Sequence, residues 1–186
     1  RAAMEAAGLP TAKGSSEPIA SADVASALAD EIGYPVIIKA AAGGGGIGMQ
    51  IVEKADEFEG ALKLCQSRAK SAFGDERVFV EKYIQGAQHV EFQVLADGKK
   101  AIHFGERFCS IQRRHQKLVE EGPWLSDEKR AEIGALVCKG AEAVGYKGLA
   151  TFEFLRDANG DFYFLEVNPR VQVEHTVTEI ITGHNL

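Results

Sequence analysis

Cysteine is scarce in this chain: three residues in 186, Cys65, Cys109 and Cys138, odd in number and widely spaced, with no C-x-x-C pair and no zinc-ligand spacing. That argues against a disulfide framework or a structural zinc site and points to a reducing compartment. Long apolar runs are also missing. None approaches the roughly 18 residues of a membrane span, and no signal-peptide pattern opens the chain, so a soluble protein is expected. Excess positive charge is absent as well. With 21 Lys and Arg against 27 Asp and Glu, the net charge of -6 gives no overall attraction to nucleic acid or anionic lipid. Basic groups must therefore act locally. Two common phosphate-loop signatures are lacking too: no G-K-[ST] opens a helix, and no helix follows the glycine run as a dinucleotide fingerprint requires.

What remains is 45% hydrophobic, enough for one or two compact units. Arg1 to Ala7 reads as the second half of a helix ended by Gly8, and the chain is expected to be a piece of a longer protein. Ser21 to Ile32 reads as a helix capped by Ser21 and closed by Gly33. Tyr34 to Lys39 follows as a buried strand, then Ala40-Ala-Ala and the glycines 43 to 46 and 48 around Ile47, then a strand-like Met49 to Val52. Strand, lysine, glycine run, strand describes a flap whose bare N–H groups fold over anionic oxygens, with Lys39 as a point charge; the alternative is a mobile hairpin tip with a snorkelling lysine. Ala55 to Phe73 is an amphipathic helix with Phe58, Ala61, Leu62, Cys65 and Ala69 on one stripe. Arg77 to Ile84 is a strand whose tail, with Gln85 and Gly86, is expected to cross between two lobes and offer backbone groups to a purine edge. His89 to Leu95 alternates His89, Glu91 and Gln93 against Val90, Phe92 and Val94, and Asp97-Gly98 returns it into Ala101 to Phe104. That polar face is expected to meet water. Arg107 to Lys117 ends in a basic cluster, either a solvated loop or an anion pocket inside an acidic protein; it lacks the aromatics of a nucleic-acid surface. Ser126 to Val144 is a second capped helix, and Thr176 to Ile181 begins another.

Leu149 to Glu174 carries the strongest chemistry. LATFEFL and FYFLEV flank RDANGD, and Asn159-Gly160 predicts a two-residue type I′ turn. That register faces Leu155 with Phe164, Glu153 with Glu166 and Thr151 with Asn168, and puts Phe152, Phe154, Leu165 and Val167 on a core face. Opposed glutamates lie roughly 4.5–5.5 Å apart at Cβ and repel. A hard divalent cation such as Mg²⁺ would offset this, with Asn168 as a neutral oxygen; the other reading is a solvated edge, or one glutamate protonated. Glu166, Asn168, Arg170, Gln172 and Glu174 share a face only if the chain stays extended, with ends about 26 Å apart. Pro169 predicts a strand end near Asn168 and a bend that returns Arg170 as anion binder and Glu174 as base.

YPVIIKAAAGGGGIGM, EKYI, HVEFQVLADG, CSIQRRHQK, TFEF and LEVNPRVQVEHTVTE together resemble the ATP-grasp part of biotin carboxylases over essentially the whole chain. The resemblance implies an α+β ATP-grasp fold, two α/β lobes with largely antiparallel sheets clamping a nucleotide. Residues 1–10 are then the end of a preceding helix, 11–83 a lid lobe and 84–186 a partial second lobe. It implies ATP phosphates on Lys39 under a flap of Gly43, Gly44, Gly45, Gly46 and Gly48. Glu81, Lys82 and Ile84 match the adenine-side hinge; His89, Gln112, His115 and Leu155 match nucleotide-pocket positions. Glu153 and Glu166, beside Asn168, match the Mg²⁺ or Mn²⁺ ligands. Lys117, Arg170, Gln172 and Val173 match the bicarbonate pocket, and Glu174 the general base.

The activity so implied is MgATP-dependent carboxylation of biotin with bicarbonate through carboxyphosphate. Implied partners are a biotin carboxyl carrier and a carboxyltransferase in an oligomeric parent, cytoplasmic or in a mitochondrial matrix, with neither nucleic acid nor membrane. Ile47 and Gln50 depart from the family's usual basic residues. The family's amino-terminal subdomain and its carboxy-terminal arginine lie outside the sequence, so weak turnover is expected of this piece alone. Two other readings stay open: another ATP-grasp ligase of the carbamoyl phosphate synthetase type, which would not share RRHQK and QVEH, and a non-catalytic nucleotide-binding module.

Overall fold

The computed structural model describes residues 1–43, 48–113 and 116–186. Along the chain run α1 (Ala2–Ala6), α2 (Ala22–Ile32), β1 (Val36–Ala40), β2 (Met49–Val52), α3 (Ala55–Phe73), β3 (Val78–Lys82), β4 (Gln88–Asp97), β5 (Ala101–Arg113), β6 (Gln116–Glu121), α4 (Asp127–Ala143), β7 (Lys147–Arg156), β8 (Phe162–Asn168) and α5 (His175–Thr182). They form two compact units, one of Ala12–Ile84 and one of Arg1–Thr11 with Gln85–Leu186. Among the described residues no helix is long and apolar enough to cross a membrane.

The unit Ala12–Ile84 is a three-stranded antiparallel sheet in the order β2-β1-β3 with α2 and α3 packed on it. Ser21 caps α2 by accepting the Val24 N–H at 3.4 Å, and Gly74 ends α3 in the left-handed region at φ 75°. Val36, Ile38, Val52, Val78 and Val80 from the strands meet Ala25, Ala29, Phe58, Leu62 and Cys65 from the helices in one core. Each large side chain buried there is worth about 1.5–3 kcal/mol.

The other unit is a five-stranded antiparallel sheet, β6-β5-β4-β7-β8. Alternation divides its residues between two faces. Val90, Phe92, Val94, Ala150, Phe152 and Phe154 pack under Ile133, Val137 and Ala141 of α4. Met4, Ala7 and Leu9 join that core, so the first residues, expected ahead of both lobes, pack within this unit. Gly134 lets α4 approach β5 closely, because a methyl there would overlap the His103 ring.

One expectation fails on the second face. The polar side of β4 does not meet water: His89 is 8% exposed and Glu91 and Gln93 are fully buried. β5 continues to Arg113, and Gln112 pairs with Lys117 on β6.

Candidate active site

The registers set one row of residues across four strands of that second face: Arg107 on β5 opposite Glu91 on β4, Glu91 opposite Glu153 on β7, and Glu153 opposite Glu166 on β8. Adjacent glutamates repel; two cations offset Glu91 and Glu153. The buried Arg107 gives Nε and Nη2 to Glu91, both at 2.7 Å, and reaches Gln93 at 2.9 Å, Thr178 of α5 at 2.8 Å and Thr151 at 3.4 Å. Lys117 Nζ arrives from β6 and donates to Glu91 Oε2, to Glu153 Oε1 at 3.1 Å and to Glu174 Oε1 at 2.6 Å.

Glu153 is the most heavily engaged carboxylate. Its Oε1 also accepts from Asn168 Nδ2 at 2.9 Å and faces Gln172 Nε2 at 3.5 Å, while Oε2 meets His89 Nε2 at 2.9 Å. Burial pushes its pKa up, but the hydrogen bonds and charges of His89 and Lys117 outweigh burial and hold it at about 2. Glu174 is likewise held below the usual carboxylate range, burial being overcome first by the Lys117 hydrogen bond. Lys117, despite burial, is pushed well above the ordinary lysine value by Glu91 and Glu153. Burial and the neighbouring acids Glu91 and Glu120 push the Cys109 thiol far up, so it is inert as a nucleophile at neutral pH.

The hairpin reaches the expected glutamate pair by an unexpected route. Its loop has three residues, not two: Asp157 N–H donates to Asp161 O at 3.0 Å, Gly160 N–H donates to Asp157 O at 3.1 Å, and Gly160 sits at φ 92°. The Asp157 carboxylate accepts the N–H groups of Asn159 and Asp161, both at 2.9 Å, which stabilises this turn over the type I′ form. Phe154 therefore faces Phe164, and Leu155 faces Tyr163. A bulge at Leu165 then restores the register, so that Glu153 faces Glu166 and Thr151 faces Asn168. Phe164, not Leu165, packs with Val167 on the core.

β8 ends at Asn168 and the chain bends, as Pro169 predicts, so that Glu174 meets Lys117. Gln172 turns inward at 8% exposed, whereas Val173 is 87% exposed. Arg170 is exposed and donates to the Val171 carbonyl at 3.3 Å. The cations acting on Glu174 are instead Lys117 and Arg107. Gln112 donates to the Cys109 carbonyl at 2.7 Å, and Leu155 sits opposite His89.

In the unit Ala12–Ile84, Lys39 and Glu81 lie on one face of β1 and β3 and pair at 2.6 Å. Lys82 is tied to the carbonyls of Gly33 and Tyr34 at 2.9 and 3.0 Å, and Ile84 is half-buried. Gly43 closes a turn on Ala40, and the Gly48 carbonyl accepts from Cys65 Sγ at 2.9 Å. Gly44, Gly45, Gly46, Ile47 and His115 lie outside the described residues.

The structure thus joins His89, Lys117, Glu153, Asn168, Gln172 and Glu174 in one network. The sequence reading missed Glu91, Gln93, Arg107, Glu120, Thr151 and Thr178 as members of it. For Glu91 and Gln93 the signal was the polar alternation on β4, which looks the same whether it faces water or a buried network.

This fold of antiparallel sheets is found in known proteins. The family model described as "Carbamoyl-phosphate synthase L chain, ATP binding domain" matches residues 1–186, and the chain belongs to that family. Among its relatives, the biotin carboxylase of Allochromatium vinosum is 50% identical over 186 residues, covering 98% of this chain and 41% of the relative. A biotin carboxylase of Campylobacter jejuni, solved as a β-γ-ATP complex, superposes with a TM-score of 0.94 at 51% identity, covering 98% of this chain and 42% of that one. The biotin carboxylase domain of the Hydrogenobacter thermophilus 2-oxoglutarate carboxylase, solved with MgADP, ADP and bicarbonate, gives 0.94 at 47% identity, covering 98% and 41%. The chain spans between 36% and 43% of the length of the curated relatives it matches.

Proposed function

We propose that this chain is the ATP-binding segment of a biotin carboxylase, which carboxylates biotin with bicarbonate at the expense of ATP. One observation carries the reading: Lys117 joins Glu153, the glutamate paired with Glu166, to Glu174 through a single ammonium group. A carboxylate pair for a cation and an ionised base beside a lysine are what phosphorylation of bicarbonate needs. The relatives solved as a β-γ-ATP complex and with MgADP and bicarbonate support it.

Glu153, ionised down to a pKa of about 2, fits a divalent cation as ligand. With Glu166 and Asn168 it would hold Mg²⁺ or Mn²⁺, which when bound neutralises charge on the phosphates. Lys39, oriented by Glu81, and Gly43 to Gly48 hold the triphosphate; Glu81, Lys82, Ile84, His89, Gln112, His115 and Leu155 line the nucleotide pocket. Lys117, Arg170, Gln172 and Val173 hold bicarbonate. Glu174 takes the bicarbonate proton as its oxygen attacks the γ-phosphoryl group, and the resulting carboxyphosphate supplies CO₂ to biotin. A lid lobe of 11–83 and a second lobe of 84–186, a biotin carrier, a carboxyltransferase and an oligomeric, cytoplasmic or mitochondrial parent complete the proposal.

The test is ADP release by the full-length parent. It should require bicarbonate and biotin together and fall at least about a hundredfold in Glu174→Gln. ADP release that needs an amine and ignores biotin would move the protein to the carbamoyl phosphate synthetase type. Nucleotide binding without turnover in the intact parent would make it a binding module.

A further inference from the structure

Among the described residues, one buried carboxylate oxygen on this face has been left without a donor. Lys117 has three N–H groups, and Glu91, Glu153 and Glu174 take all three. Arg107 has five, and Glu91, Gln93, Thr178 and Thr151 account for them. Glu120, on β6, has a side chain only 11% exposed; its Oε2 is buried with no hydrogen-bond partner, and Arg107 Nε stands 3.7 Å away, too far for a hydrogen bond. Oxygens of Glu91, Glu120 and Glu174 nonetheless lie within 4.8 Å of one another. Such a gap is spanned by one water or closed by a rotamer change.

Building on the reaction proposed above, we infer that Glu120 is the residue that takes the bicarbonate proton from Glu174 and so returns Glu174 to its ionised form for the next turnover. In the step an O–H bond on Glu174 breaks and one on Glu120 forms; the negative charge moves from 120 to 174, and no electrons are exchanged. Glu120 acts through Glu174, not on the substrate, and is a positioning residue for the proton. Among the described residues, four charged neighbours bear on this. Glu91 on β4 and Glu174 ahead of α5 favour a proton on Glu120; Arg107 on β5 and Lys117 on β6 oppose it; Cys109 on β5 stays a thiol. Burial, then Glu91 and Glu174, push Glu120 up to about 7, while Glu174 is held low, so the transfer runs downhill. Lys117 and Arg107 have no donor left with which to reverse that order.

The experiment uses the full-length parent enzyme. Wild-type kcat for biotin- and bicarbonate-dependent ADP release should fall on the acid side of about pH 7, where Glu120 is already protonated. Glu120→Gln should lower kcat by about tenfold or more, leave KM for ATP and bicarbonate within about twofold, and lose that acid limb; Glu120→Asp should restore part of both. A folded Glu120→Gln enzyme with wild-type kcat and the wild-type limb overturns the inference. Infrared difference spectra of the wild type need no variant. A protonated-carboxyl band that titrates near neutrality supports the inference, and its absence overturns it. A wild-type parent with no biotin- and bicarbonate-dependent ADP release would instead refute the functional reading, and the proton relay with it. The infrared band would then report only where a proton sits.

Discussion

Two glutamates of one sheet face respond to pH in opposite senses. The folded pKa of Glu153 lies near 2, below its unfolded value of about 4.3, so its contribution is fully present above the unfolded value and is lost as pH falls through the folded one. The shift corresponds to at most about 3 kcal/mol. Glu153→Gln is therefore expected to lose about 2–3 kcal/mol at neutral pH. The gap to wild type should close as both are taken toward pH 2, in urea unfolding at stepped pH. Glu120 is raised, to about 7, so its contribution is present below the unfolded value and is lost as pH rises through the folded one. Glu120→Gln is accordingly expected to stabilise the protein by about 1–3 kcal/mol on the alkaline side and change little on the acid side, read as the difference in melting midpoint. Equal effects of the two variants at both ends of the pH range would contradict the assignments.

For the elements, the β7–β8 hairpin shows what a sequence does and does not reveal. Apolar alternation around Asn159-Gly160 located the strands and turn, and Glu153 was correctly placed opposite Glu166. The loop itself was misread. Asn-Gly suits a two-residue loop and a three-residue one alike, and the choice falls to Asp157, two residues upstream, whose carboxylate holds the Asn159 and Asp161 N–H groups. That misreading and the unforeseen bulge at Leu165 each shift the pairing by one residue, and they cancel before Glu166. A bulge answers to packing, here Phe164 against Phe152 and Phe154, which no local pattern records. The three-residue loop also makes a prediction of its own. Gly160 is at φ 92°, and a methyl there would stand 3.1 Å from Arg156 Nη2. Gly160→Ala should therefore lose about 1–2 kcal/mol. Asp157→Ala should lose about 1 kcal/mol through its two freed N–H groups. A hairpin of type I′ would tolerate Asp157→Ala with no measurable change in urea midpoint.

Across the whole molecule, the helix caps at Ser21 and Ser126, the hairpins β4–β5 and β7–β8 and the pairing of Glu153 with Glu166 were legible because each is written locally, in caps, alternation or turn residues. The polar network beneath β4 was not, because burial of Glu91 and Gln93 follows from β5, β6, β7 and α5 closing over them, and alternation cannot tell such a cover from water. Arg107 is where that closure can be tested. It is wholly buried and binds side chains on β4, β7 and α5, including Thr178, and α5 begins directly after Glu174. Arg107→Met should thus do two things at once. It strands Glu91 in the interior with Lys117 as its remaining cation, at a loss of about 3–5 kcal/mol. It also removes the tie that holds α5, and with it Glu174, against the sheet. Replacing both charges, in Arg107→Met with Glu91→Gln, should recover much of the stability, since no unpaired charge remains buried. It should not recover ADP release by the parent, because the double variant still lacks the bond to Thr178. Recovery of both together would mean that Arg107 serves only to neutralise Glu91 and that α5 holds Glu174 in place without it.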